Sequence, residues 1–154
     1  MAEQNYPYFA ENRSMPAAVV IPELAYPDVR EAVEWLCRSF GFSERLRIGN
    51  HRSQLSFGNG SIIVTRRAPP PDHEGGGKKE SRDGQSHAMM VRVNDLEGHF
   101  ERANREGAQI LSPPADYPYG ERQYSVQDPG GHLWTFSETI ADIDPQTWGG
   151  ELIA

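Results

Sequence analysis

The 154-residue sequence predicts an α+β fold made of two tandem βαβββ units. Three observations carry that prediction. An order of strand, helix and three strands, read from apolar periodicity, occurs twice along the chain. A Pro- and Gly-rich stretch with no periodic apolar position separates the two occurrences. The helix-capping aspartate and the last hairpin glycine stand 32 residues apart in the first unit (Asp28 to Gly60) and 36 in the second (Asp95 to Gly131). Near-equal spacing of this kind is the mark of an internal duplication.

Taken in order, Ala17 to Tyr26 is rich in Val, Ile and Leu and is broken by Pro22, which places a short strand at a sheet edge or beside a bulge. Asp28 is a helix cap. Val29, Val33, Leu36, Cys37 and Phe40 then recur at helical spacing until Gly41 supplies a left-handed stop. Phe42 to Ile48 and His51 to Phe57 alternate as strands, and Phe57-Gly58-Asn59-Gly60 makes the tight turn into Ser61 to Thr65. Residues 68–85 hold three prolines and four glycines among many charges, the composition of a flexible linker loop, with a lid over a binding site as the alternative. The pattern then repeats. His87 to Val93 is a strand, Asn94-Asp95 a cap, and Leu96, Phe100, Ala103 and Asn104 lie on a helix stopped by Gly107. Ala108 to Leu111 and Arg122 to Gln127 are strands, and Asp128-Pro129-Gly130-Gly131 turns into the last one, His132 to Ser137. The expected organisation is an arm (1–16), a first unit (17–67), the linker (68–85), a second unit (86–140) and a tail (141–154).

Composition limits the partners. A formal charge of −7 without a Lys/Arg cluster argues against nucleic acid, whose affinity for proteins rests on clustered cations. No apolar run approaches the roughly 20 residues needed to span a bilayer, so no membrane partner is expected. Met1 to Asn12 is polar where an export signal needs a basic start and an apolar stretch. The single cysteine, Cys37, forbids an intrachain disulfide, and a reducing cytoplasm is the expected location. Cys37 falls on the apolar stripe of the first helix, where it reads as a small hydrophobe.

The stretch Tyr119-Gly-Glu-Arg-Gln-Tyr-Ser-Val-Gln-Asp-Pro-Gly-Gly-His-Leu-Trp-Thr-Phe resembles the last hairpin of the vicinal oxygen chelate superfamily, the group of glyoxalases, bleomycin-resistance proteins and extradiol dioxygenases. Ala25-Tyr-Pro-Asp-Val-Arg-Glu-Ala-Val-Glu-Trp-Leu, with Phe40-Gly41-Phe42, is similar to its first helix, and the likeness runs from about residue 17 to 140. The resemblance implies two cupped half-barrel sheets around a cavity, helices outside, and a homodimer. Such a fold hosts lyases, dioxygenases and non-catalytic drug-binding proteins, so it does not by itself choose a function.

The resemblance also implies a place for a metal, two ligands in each unit. Carried over, these positions fall on Ile21 and Val64 in the first unit and on Ala88 and Thr135 in the second. His, Glu or Gln would be needed there, so no metal and no cofactor are expected. His87 is one residue from its expected place, and strand alternation turns it away unless a bulge restores it. A four-residue hairpin loop over Asp128 to Gly131 would set Gln127 opposite His132. Thr135 faces the cavity by resemblance, and Arg122, Tyr124 and Leu133 then join it, with Leu55, Ile62 and Val64 as the first unit's contribution. Arg122 paired with Glu121 or Asp116 is one alternative; a bulge or a different loop length, which would exchange Arg122 for Glu121 and Gln123 and make the cavity acidic, is another. The expected result is a largely apolar pocket for a small organic molecule, a drug or metabolite. An enzyme of lyase or dioxygenase type, using a divalent metal at His87 or a metal-free Tyr124/Arg122 pair, is the competing reading.

Overall fold

The computed structural model describes residues 9–67 and 87–153; the expected linker, 68–85, lies outside the described residues. The chain runs β1 (Glu23–Tyr26), α1 (Val29–Phe40), β2 (Ser43–Ile48), β3 (Arg52–Phe57) and β4 (Gly60–Arg66). It continues as β5 (Met89–Arg92), α2 (Leu96–Arg105), β6 (Gln109–Tyr117), β7 (Glu121–Gln127) and β8 (Leu133–Thr139), and ends in a 3-10 turn, Pro145–Trp148. Two four-stranded sheets result, ordered β1-β4-β3-β2 and β5-β8-β7-β6. In each, the first strand is parallel to the last and the other pairs are antiparallel.

The helix boundaries follow from local chemistry. The Asp28 carboxylate accepts the Glu31 N–H at 3.0 Å, and Asp95 accepts the Gly98 N–H at 3.1 Å, so each helix starts on a side-chain acceptor. α1 stops where Gly41 turns left-handed at φ +89°, a conformation that a Cβ disfavours.

One face of each sheet carries its helix. Leu24, Leu55, Ile62 and Val64 pack with Val33, Leu36 and Phe40 of α1, and Tyr124, Val126, Trp134 and Phe136 pack with Leu96 and Ala103 of α2. The two halves share this core, because Phe40 meets Trp134 and Phe136 with ring centroids 5.3 and 4.8 Å apart. Burying a side chain of that size is worth roughly 1.5–3 kcal/mol, so neither half holds a complete core without the other.

Register overturns two expectations. β7 and β8 pair Gln127 with Leu133, so the loop spans five residues, Asp128 to His132, rather than four. The Asp128 N–H reaches the His132 carbonyl at 3.0 Å, and the Gly131 N–H turns back on Asp128. A one-residue slip exchanges faces: Arg122 and Tyr124 lie on the helix side with Trp134 and Phe136, while Leu133 and Thr135 share the open face with Glu121, Gln123, Ser125 and Gln127. In the first unit, Leu55, Ile62 and Val64 are helix-side core residues, and Gln54, Ile63 and Thr65 take the open face. The sequence gives both faces of β4 apolar residues, and the helix claims the larger set. β1 is shorter than expected because Pro22 precedes it. β6 is longer, since the Ser112-Pro113-Pro114 segment stays in the edge strand with shifts of register.

Candidate functional site

The open faces of the two sheets differ. On the first, the N-terminal arm lies across the strands: Gln54 donates to the Ser14 carbonyl at 2.8 Å, Arg45 donates to the Arg13 carbonyl at 2.7 Å, and Pro16 is buried. Gln54 and Ile63 are sealed beneath it. On the second, Met90 is 63% exposed, and the face forms a cavity of about 460 Å³ lined by Met90, Arg92, Tyr119, Glu121, Gln123, Ser137 and Trp148.

Strand alternation supplies its floor. Arg92 on β5, Glu121 and Gln123 on β7, and Ser137 and Thr139 on β8 point the same way, because opposed residues share a face. Glu121 accepts from both Ser137 and Thr139, Gln123 donates to Ser137 at 3.0 Å, and Arg92 donates to Thr139 at 3.0 Å. Burial opposes ionisation of Glu121, yet the two hydroxyls and the Arg92 charge outweigh it and hold the carboxyl below its usual range. The floor is therefore anionic beside a cation. Its wall is aromatic: Tyr117 stacks on Tyr119 at 5.5 Å, and Trp148 meets Tyr119 edge-on at 5.4 Å. Gly120 lets the tail dock here. Its carbonyl accepts the Ile140 N–H at 2.8 Å, and a Cβ at Gly120 would stand 2.0 Å from the Ala141 carbonyl oxygen.

The residues singled out from sequence divide accordingly. Leu133 and Thr135 are on the open face, Thr135 sharing a 3.1 Å hydroxyl bond with Ser125. Arg122 instead pairs with Asp116 at 2.6 Å, and the guanidinium holds that carboxyl below its ordinary range. Tyr124 is fully buried, its hydroxyl 2.7 Å from His99 Nδ1, and burial raises its pKa. They do not form a pair. Leu55 and Val64 belong to the core, and His87 is exposed ahead of β5. Glu121 and Gln123 are the residues expected for a different loop length, whereas Met90, Arg92, Tyr119 and Trp148 were missed. The five-residue turn brings Glu121 and Gln123 to the open face, and no periodic signal marks the tail that brings Trp148.

The Asp-Pro-Gly-Gly-His loop holds the halves together. Asp128, almost fully buried, accepts the Tyr26 hydroxyl at 2.6 Å, the Trp134 indole N–H at 3.0 Å, and the N–H groups of Gly130 and His132. His132 Nε2 reaches the Ala25 carbonyl at 2.8 Å, and Arg67 donates to the Gly130 carbonyl at 2.9 Å.

A divalent metal does not fit the residues present. Counting back from the aspartate caps aligns Leu24 with Val91, and their β4 and β8 partners, Val64 and Phe136, are then equivalent. Ile63, rather than Val64, is thus the first unit's counterpart of Thr135. Ile21, Ile63 and Ala88 carry no donor, and one threonine hydroxyl is too little for a metal. Among the described residues no three His, Cys, Asp or Glu side chains come together to hold an ion, and no helix is long and apolar enough to cross a membrane.

Paired βαβββ units with this open-faced cavity define the class. Residues 18–136 match the family model of the Glyoxalase/Bleomycin resistance protein/Dioxygenase superfamily, and the chain belongs to that superfamily. The crystal structure of TioX from Micromonospora sp. ML1 is similar, with 37% identity, a TM-score of 0.65, and coverage of 80% of this chain and 99% of that one. TnmS3, an antibiotic binding protein from Streptomyces sp. CB03234, shares the fold at 19% identity, a TM-score of 0.60, and coverage of 80% and 96%. An uncharacterised protein of Mycobacterium tuberculosis (strain ATCC 25618 / H37Rv) is 25% identical over 128 residues, 80% of this chain and 75% of its own.

Proposed function

We propose that the protein binds a small organic molecule, a drug or metabolite with an aromatic body, on the open face of the second unit, without a metal. The observation that carries this reading is the aromatic wall of Tyr119 and Trp148 beside a floor of Arg92, Glu121 and Gln123. Stacking would hold the body, and the floor would fix its polar groups. The site is more polar than the apolar pocket expected from sequence, and Leu133 and Thr135 extend it along β8. The likeness to an antibiotic binding protein supports the class of ligand. We take the protein to act as a homodimer in the cytoplasm. The exposed apolar side chains Val19, Leu152 and Ile153 support an interface, and light scattering should return twice the chain mass.

Native mass spectrometry of the purified protein against an antibiotic and metabolite panel tests the reading. A 1:1 adduct is expected that survives chelator, with Trp148→Ala weakening it about tenfold, the range of one lost aromatic contact. An adduct insensitive to both Trp148→Ala and Gln123→Ala would place the ligand elsewhere.

A further inference from the structure

The duplication makes two equivalent crevices, each where one unit's last hairpin approaches the first strand and helix of the other. Alignment of the caps Asp28 and Asp95 pairs Tyr26 with Val93, Ala32 with His99 and Trp35 with Arg102. In the crevice beside α1, the loop Asp128–His132 reaches across and the Tyr26 ring takes up part of the space, leaving a cavity of about 460 Å³ lined by Asp28, Ala32, Trp35 and Gly130 among others. Tyr26 bonds Asp128 at 2.6 Å and lies 4.8 Å from the His132 ring. The crevice beside α2 lacks both devices. Its hairpin pairs Phe57 with Gly60, leaving a loop of only Gly58 and Asn59, and Val93 stands where the other half has a tyrosine. A cavity of about 880 Å³ results, lined by Phe42, Phe57, Ile62, Met89, Val93 and Trp134 among others.

Its inner wall suits an aromatic body. His99, the polar side chain set deepest, has both ring nitrogens engaged, Nδ1 with the Tyr124 hydroxyl at 2.7 Å and Nε2 with the Phe40 carbonyl at 2.9 Å. Because a carbonyl only accepts, Nε2 carries the proton and Nδ1 accepts from the tyrosine. The ring therefore offers carbon to the cavity. Arg102 is likewise committed, to the Arg38 carbonyl at 2.8 Å. Phe42, 5.3 Å from Phe57 and 5.7 Å from Trp134, and Met89 add aromatic edge and thioether. Asn59, Ser61, Asn94, Arg92 and Asp95 also line the cavity, with Arg92 bonded to Thr139 and Asp95 to the Gly98 N–H. Val20, 79% exposed, and Met90 stand at the rim.

We propose that this crevice, which shares only Met90 and Arg92 with the lining of the open-face cavity, is a second binding site for an uncharged aromatic molecule of two or three rings, seated where the Tyr26 ring lies in the other half. A volume of this size falls within the range of small-molecule sites.

The probe is N-phenyl-1-naphthylamine, an uncharged fluorescent aromatic amine, titrated into the full chain. The expected result is a saturable 1:1 fluorescence rise that Val93→Tyr weakens at least tenfold and Trp148→Ala leaves unchanged. Ile62→Phe, which narrows the crevice from the opposite wall, serves if Val93→Tyr fails to fold by circular dichroism. Equal binding by a folded crevice variant and wild type would overturn the proposal, as would loss of binding in Trp148→Ala alone. Probe affinity that falls as chain mass doubles with concentration would also overturn it, by giving the crevice to a second copy.

Discussion

The two units use one scaffold in opposite ways. In the first, the open face is sealed by the chain's own arm and the crevice beside α1 is narrowed by Tyr26 to about half the volume of its counterpart. In the second, the open face holds a cavity and the crevice beside α2 stands wide. Closure is achieved with short-range chemistry: a carboxylate that collects four donors, a proline laid over a sheet, a five-residue loop. Opening follows from removing those parts, by a shorter hairpin and a valine. Duplication thus lets one copy cover its surfaces while its twin leaves them open, and the difference lies in loops and single side chains rather than in topology.

The largest effect on this contrast should come from Asp128→Ala. Removing the acceptor leaves the Tyr26 hydroxyl, the Trp134 indole and two backbone N–H groups without their partner. A loss of about 3–5 kcal/mol in urea unfolding is expected, since each buried unsatisfied donor costs about 1–3 kcal/mol and part of the demand can be met by water. Tyr26→Val, which gives the first half the residue of the second, should cost roughly 2–4 kcal/mol by opening a cavity where a ring was packed. If it costs nothing, the two crevices are equivalent and the comparison fails.

Deleting residues 1–16 should sharpen the contrast between the open faces. Ile63 and Gln54 would then meet solvent, and a loss of about 1–2 kcal/mol is expected, less than full exposure of an isoleucine because the sheet itself remains. Unchanged unfolding midpoints would mean that the arm only rests on the strands.

The smallest effect concerns pH. Burial, with the Arg102 charge, lowers the pKa of His99 below its ordinary 6.5, against the opposing pull of the Phe40 carbonyl and Asp95. The unfolded chain then binds a proton that the folded one refuses. Stability from this group is complete above pH 6.5 and is lost as pH falls through that value toward the folded pKa. The slope cannot exceed about 1.4 kcal/mol per pH unit for one proton. Unfolding measured from pH 8 to 5 should show a shallower decline in His99→Gln than in wild type; parallel curves would remove His99 as the cause.

Much of the fold was legible because it rests on local rules. Asp28 and Asp95 announce helix starts, Gly41 a helix end, and the repeated spacing announces the duplication. The site was legible only in part, because faces depend on register, and register depended on one residue of turn length. Asp128 accepts from Gly130 and His132, which draws His132 into the loop and moves Arg122 and Tyr124 to the helix side. Trp148 escaped because a short 3-10 turn has too few residues for a period. His99 escaped because a lone histidine on a helix carries no signal until Phe40 and Tyr124, distant in sequence, come to its two nitrogens.

The clamp at Asp128 also bears on how the chain reaches its final state. Tyr26 and Asp128 are 102 positions apart, so their bond forms only after a very long loop is closed. α1 likewise seats Phe40 against rings from the last strand. During synthesis the first unit leaves the ribosome well before the residues that complete its packing. Contacts this distant favour slow, cooperative assembly, in which the two halves mature together rather than as successive domains.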